Sequence, residues 1–244
     1  VKNYTILIPF LILLFFLFGC GDGDCLKSSG AETSEERMLS DFKAIELSDL
    51  FNVWLVNDTI TKIIVETGEN LISDIKTEIS DTTLKISNTS KCRFLRGYGN
   101  YPKLIIHVKD LKLVQIYEPC NVYTIDTLKN YQIQFIFNAD ISTANLCIES
   151  TYLTLDLWSD VTGEYTIKGK SFYLISNTYG YSKINAKDLE CDNIILNSVS
   201  TGNFTVTAKS TLNVTILGSG NVYYYGNPVI TQKIEGAGKI IKAD

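Results

Sequence analysis

The sequence predicts an all-β solenoid, a chain wound into stacked coils of about twenty residues each. Three observations carry this expectation. First, one pattern keeps returning: a small or polar turn, then Asn, Asp or Lys, then an aliphatic or aromatic residue that starts a strand. The strand-starting residues are Val122, Ile141, Val161, Ile184, Phe204, Val222 and Ile240, at intervals of 19, 20, 23, 20, 18 and 18 residues. Second, two turns nearly repeat each other, Gly218-Ser219-Gly220-Asn221-Val222 and Gly236-Ala237-Gly238-Lys239-Ile240. Third, the composition is β-rich in character: 45% hydrophobic, with 14 Tyr, 11 Phe and only 4 Pro in 244 residues. An α-helical solenoid would need longer apolar-periodic segments and fewer β-branched residues.

Net charge is −5. Phosphate recognition needs a basic face, and none is visible, so nucleic acid is excluded as a partner. Lys2 followed by the apolar run Tyr4 to Phe18 reads as a signal peptide over residues 1–19, too short for a transmembrane helix. It ends Leu17-Phe18-Gly19-Cys20, which resembles a bacterial lipobox. That resemblance implies lipidation of Cys20 and a membrane contact through the lipid. Gly21-Asp22-Gly23-Asp24 resembles the surface-export signal of Bacteroidota lipoproteins. Residues 20–40, rich in Gly, Ser, Glu and Asp, read as a flexible tether.

Residues 41–244 then form the solenoid domain, with irregular first coils over 41–110 and regular coils over 111–244. Phe42, Ile45 and Leu47, then Phe51, Val53 and Leu55, alternate with period two. Lys62 to Glu66, Thr83 to Ser87 and Leu104 to Lys109 also read as strands. Between the first two, Leu71, Ile72, Ile75 and Ile79 sit near helical spacing and predict a short helix or cap. Residues 88–103 break all periodicity. They carry Arg93, Arg96, Tyr98 and Tyr101, a basic-aromatic loop in an acidic chain and a candidate binding loop.

From Leu113 each coil is a strand, a tight turn, a second strand and a connection. The residue before each second strand is Asn52, Asn121, Asp140, Asp160, Lys183, Asn203, Asn221 or Lys239. Asn and Asp cap turns with their own side chains, so stacked coils would line these residues up along one edge. Cys25, Cys92, Cys120, Cys147 and Cys191 remain after Cys20. No pair has CxxC spacing, so no metal site is expected. His107 is the single histidine and lies in a strand.

The chain resembles the putative autotransporter adhesin, head GIN domain, family of exported Bacteroidota proteins. The resemblance rests on Phe42-Lys43-Ala44-Ile45-Glu46-Leu47, Phe51-Asn52-Val53-Trp54-Leu55, Ile63 to Leu71 and Asp81-Thr82-Thr83-Leu84-Lys85-Ile86. It rests most on the closing Gly218 to Pro228 and Gly236 to Ile240. It implies a right-handed parallel β-helix and an adhesive role. Asp58-Thr59-Ile60, Asp81-Thr82-Thr83 and Asp126-Thr127-Leu128 also look like O-glycosylation acceptor motifs of exported Bacteroidota proteins, at Thr59, Thr82 and Thr127.

The functional expectation is a non-enzymatic, lipid-anchored protein of the outer membrane, displayed at the cell surface, without cofactor. It would present a solenoid face to a glycan or protein. Tyr117, Tyr123, Trp158, Tyr179, Tyr181 and Tyr223 to Tyr225 supply aromatics for such a face, or simply stack coil on coil. Two alternatives stand beside it. One is a carbohydrate-active β-helix enzyme using Asp140, Asp156, Asp160 and Glu164. The other is a periplasm-facing component that binds a protein partner.

Overall fold

The computed structural model describes residues 28–90, 101–158 and 162–244. These residues are nearly all β, with 67% in strands, wound as a β-solenoid of about six turns with about twenty residues per turn. Two main sheet faces enclose the core, with a shorter run of pairs between them that joins residues 128–130, 148–150, 169–171 and 189–191. Face A stacks β5 (Ile75–Ser80), β6 (Thr83–Asn88), β2 (Ala44–Leu47) and β8 (Leu113–Ile116) in that spatial order. It continues through the C-terminal halves of β10 (Leu128–Phe137), β11 (Thr143–Leu157), β12 (Glu164–Thr178), β13 (Lys183–Ser198) and β14 (Phe204–Ile216) to β16 (Val229–Ile234). Face B stacks β1 (Glu32–Met38), β4 (Lys62–Gly68), β7 (Lys103–Val108), β3 (Phe51–Asn57) and β9 (Cys120–Thr124). It continues through the N-terminal halves of β11 to β14 to β15 (Val222–Tyr225) and β17 (Ile240–Lys242).

Strand alternation sends every second side chain inward. On face A, Ile45, Leu84, Val114, Phe135, Leu155 and Leu196 are all buried and all share one inward row. On face B the matching row is Leu104, Val53, Val122, Ala144, Tyr165, Ile184, Phe204 and Val222. The interior between the described strands is therefore filled with side chains. Phe137 and Tyr165 meet edge to face across it, centroids 4.8 Å apart.

Two positions of the repeat differ from the sequence expectation. Ala144 and Tyr165 take the inward places expected for Ile141 and Val161. Ile141 is exposed and makes a single bridge to Thr162; Val161 lies outside the described residues. A small Ala and a large Tyr do not advertise an inward position, and the turns here are a few residues longer. The polar row accordingly runs Asn52, Asn121, Thr143, Glu164, Lys183, Asn203, Asn221, Lys239. It holds together by hydrogen bonds: Asn121 Nδ2 donates to Asn52 Oδ1 at 2.8 Å, and Thr143 Oγ1 donates to Asn121 Oδ1 at 2.7 Å. The N–H groups of Asn221 and Lys239 each donate to the Asn of the preceding coil at 2.9 Å.

The N-terminal coils stack out of chain order. The coil formed by β2 and β3 sits between the later coil β6–β7 and the still later coil β8–β9. Antiparallel strands close this end: β5 on β6, β4 on β7 and β1 on β4. Such a cap covers edges that would otherwise recruit other chains. The expected helix over 69–79 is instead a 3₁₀ turn at Ile72–Asp74 running into β5. Pairing with β6 overrides the local spacing. Likewise residues 32–38, expected within the tether, form β1. Their side chains are largely exposed, so composition alone reads as linker. Backbone pairing and Arg37 hold the strand, with Nη1 donating to the Ile75 carbonyl at 2.7 Å and Nη2 to the Ile72 carbonyl at 3.1 Å.

Candidate functional site

With the interior of the described strands filled, the solvent-facing side chains lie on the outer faces and corners. The outward row of face B runs Ile105, Trp54, Tyr123, Asn145, Thr166, Asn185, Thr205, Tyr223. Trp54 and Tyr123 are cross-strand neighbours, and their rings stack with centroids 5.0 Å apart at 25°. Lys103 Nζ lies 5.1 Å from the Trp54 ring centroid and 2.8 Å from the Glu66 carboxylate. A cation over an indole and a second ring beneath it fix the stack's orientation.

Beyond Tyr123 the row drops to the exposed Asn145. A groove of about 450 Å³ opens there, lined by Tyr123, Thr124, Asp126, Asn145, Cys147 and Lys168, with Trp54 behind. Its wall is pinned by the fold. Asp126 Oδ1 accepts from the Asn57 N–H at 2.9 Å. Thr124 Oγ1 accepts from the Cys147 N–H at 2.8 Å, and Thr127 Oγ1 meets Cys147 Sγ at 3.2 Å.

Two further aromatic rows lie at the corners. Tyr131, Tyr152 and Tyr173 follow one another, with Tyr152 and Tyr173 stacked at 5.1 Å and 4°. Trp158 and Tyr179 stack at 5.3 Å on another corner. Backbone hydrogen bonds carry that corner on to Val199 and Leu217, both partly exposed.

The sequence-predicted residues fall in scattered places. Cys20 and the loop residues Arg93, Arg96 and Tyr98 lie outside the described residues. Tyr101 is half-buried just before β7. Thr59 and Thr82 are exposed in turns, and Thr127 is half-buried against Cys147. His107 Nδ1 donates to Asp58 Oδ2 at 2.7 Å, and this bond, more than the Thr59 N–H, holds the Asp58 carboxyl below its ordinary value. Cys120 and Cys191 are buried, and desolvation pushes each thiol to about 12.

The carboxylates considered for catalysis do not share one set of partners. Asp156 is buried on the outer side of face A, accepting from Gln134 Nε2 at 2.6 Å and Asn177 Nδ2 at 2.7 Å. Glu164 is exposed on face B and pairs with Lys183 at 3.2 Å. Asp140 is exposed, and Asp160 lies outside the described residues. Sequence reasoning missed Trp54, Asn145, Lys168, Tyr152 and Tyr173 as site residues. The signal for the last two was available, since Tyr152 and Tyr173 recur at the coil period.

A family model described as putative auto-transporter adhesin, head GIN domain, matches residues 41–228. Among solved structures, a putative adhesin from Bacteroides fragilis is similar with a TM-score of 0.76 and 17% identity, covering 87% of this chain and 97% of the other. A putative lipid binding protein from Parabacteroides distasonis follows with a TM-score of 0.66 and 22% identity, covering 89% and 98%. A putative adhesin from Parabacteroides merdae has a TM-score of 0.60 and 18% identity, covering 89% and 98%. No curated protein matches the sequence. At these identities the solved structures speak for the fold alone.

Proposed function

This chain belongs to the putative auto-transporter adhesin, head GIN domain, family, and from that premise we propose that it is a non-enzymatic binding module of the cell envelope. It is held to the outer membrane by a lipid on Cys20 and displayed at the cell surface. The solenoid acts as a rigid post whose outer faces meet a glycan or protein ligand. The observation that carries this reading is the contrast between inside and outside. The interior is closed by aliphatic and aromatic side chains, whereas further aromatic side chains stand exposed or half-exposed in stacked rows along the outer face and corners. Large aromatics contribute binding area at low entropic cost when their rings are already held in place. The family name agrees with that role, and the solved relatives are named as adhesins and a lipid binding protein. Exposed Thr59 and Thr82 are proposed acceptors for O-glycans, and half-buried Thr127 a third.

The anchor is tested by metabolic labelling with an alkynyl fatty acid. The wild-type protein takes up label and fractionates with membrane, and Cys20→Ala does neither. Equal labelling of both proteins would remove the anchor from this account. The binding role is tested by coating beads with the purified protein and measuring retention on host and bacterial surface extracts. Retention no greater than that of albumin-coated beads would count against a binding module.

A further inference from the structure

We propose that the groove beside Tyr123 is a carbohydrate site, in which a sugar ring stacks on Tyr123 where the next aromatic of the row would sit. This rests on the binding-module reading and gives it a place and a ligand class. The row Ile105, Trp54, Tyr123 is a stack that stops short: its next member, one coil on, is the small exposed Asn145. Trp54 covers one side of Tyr123 at 5.0 Å, with Lys103 beyond it. The groove lies toward Asn145 and Lys168. A platform that is already ordered loses little entropy when a ligand stacks on it.

The rim decides the ligand class. The Asn145 side-chain amide and the Lys168 ammonium have no partner among the described residues. Asp126 uses one carboxylate oxygen for the Asn57 N–H. Thr124 accepts from Cys147 N–H, leaving its own proton to donate. The groove thus offers both donors and acceptors beside one aromatic ring, with exposed Ile125 as a further apolar contact. A pyranose presents this combination in reverse, with a C–H face for the ring and hydroxyls that both donate and accept at its edge. An acyl chain or apolar peptide would strip water from Asn145, Asp126 and Lys168 without replacing their hydrogen bonds. A groove of about 450 Å³ falls within the usual range for small-ligand sites, roughly 300–1,000 Å³.

The test is saturation-transfer NMR on the purified full chain. The probes are methyl glycosides of glucose, galactose, mannose, N-acetylglucosamine and glucuronic acid, with sodium decanoate as the acyl-chain probe. At least one glycoside receives saturation at its ring C–H protons. The signal disappears in Tyr123→Ala, persists in Tyr123→Phe and is unchanged in Val229→Ala, a change at an exposed residue of β16. Asn145→Ala weakens binding about tenfold, the loss expected for one well-made hydrogen bond in a ligand site. Persistence in Tyr123→Phe separates loss of the ring from loss of the fold. Silence of every glycoside, transfer that survives Tyr123→Ala, or decanoate as the sole binder would each overturn the assignment. Transfer that survives Tyr123→Ala would leave the binding-module reading standing with its site elsewhere. Glycoside binding by a protein that never reaches the cell surface would do the reverse.

Discussion

Gly220→Ala is the sharpest perturbation the coil stacking offers. A Cβ at Gly220 would sit 1.9 Å from the Gly202 carbonyl oxygen of the coil below and 2.8 Å from its carbon. Both are backbone atoms that cannot rotate away. Relief requires the two turns to separate by about 1 Å, since real Cβ contacts essentially never fall under 3.0 Å. Opening the corner that far breaks the Gly220 N–H bond to the Ser200 carbonyl at 3.1 Å and the Asn221 N–H bond to Asn203 Oδ1 at 2.9 Å. Two such bonds contribute roughly 1–3 kcal/mol, and overpacking costs a further ~1–3 kcal/mol. The expected loss is about 2–6 kcal/mol, a large share of the ~5–15 kcal/mol that stabilises a typical domain. For a chain of this size it lowers the melting temperature by roughly 10 °C. Urea unfolding followed by circular dichroism measures it, with exposed Ser219→Ala as a neighbour that stays within about 0.5 kcal/mol of wild type. A Gly220→Ala protein as stable as Ser219→Ala would refute the close stacking of these turns. The same clash recurs at Gly202 and Gly238, with Cβ contacts of 1.8 and 2.1 Å. That is the physical content of the repeated Gly-x-Gly turn.

Three other outcomes follow from the core and the surface. The hydroxyls of Thr178 and Ser198 are buried side by side in the inward row of face A without a partner. Thr178→Val therefore stabilises the protein by about 1 kcal/mol in urea titration, whereas a loss of that size would mean the hydroxyl is bonded. Among Cys120, Cys147 and Cys191, iodoacetamide at pH 8 labels Cys147 first, as mapped by mass spectrometry. The other two are buried, with thiols pushed to about 12; prior labelling of either would contradict their burial. The Asp58 carboxyl is held below its ordinary value of 3.8 by His107, so the folded protein resists its protonation more than the unfolded chain does. Its stabilisation is present above about pH 4 and is lost as pH falls below that. Asp58→Asn consequently shows a shallower acid limb in stability against pH, and an unchanged limb would separate the pair from acid sensitivity.

Much of the fold was legible because a solenoid writes its period into the sequence. Period-two runs such as Phe51 to Leu55 marked inward residues directly, and the Gly-x-Gly turns marked coil corners. What alternation cannot state is which strand lies next door. Val53 looks the same whether its neighbour is Leu104 or Val122, and in the fold it has both. The out-of-order stacking is therefore invisible in the pattern. It is carried by long-range pairs such as Asn121 to Asn52, 69 residues apart, where later coils use separations of 18 to 22. The groove was illegible for the same reason. Tyr123 was visible as an aromatic candidate, but Trp54, Asn145 and Lys168 join it only through the register of four coils. β1 was hidden because an exposed edge strand needs backbone partners rather than hydrophobic alternation.

Protease shaving of intact cells tests most directly whether this solenoid is an outward-facing binding post. Cells expressing wild type and Cys20→Ala are treated briefly with proteinase K, washed and blotted, with a periplasmic protein as the integrity control. Wild type is lost from intact cells while the control survives, and Cys20→Ala is not retained on the surface. Wild-type protein that persists until the outer membrane is broken would contradict display and place its partners inside the envelope.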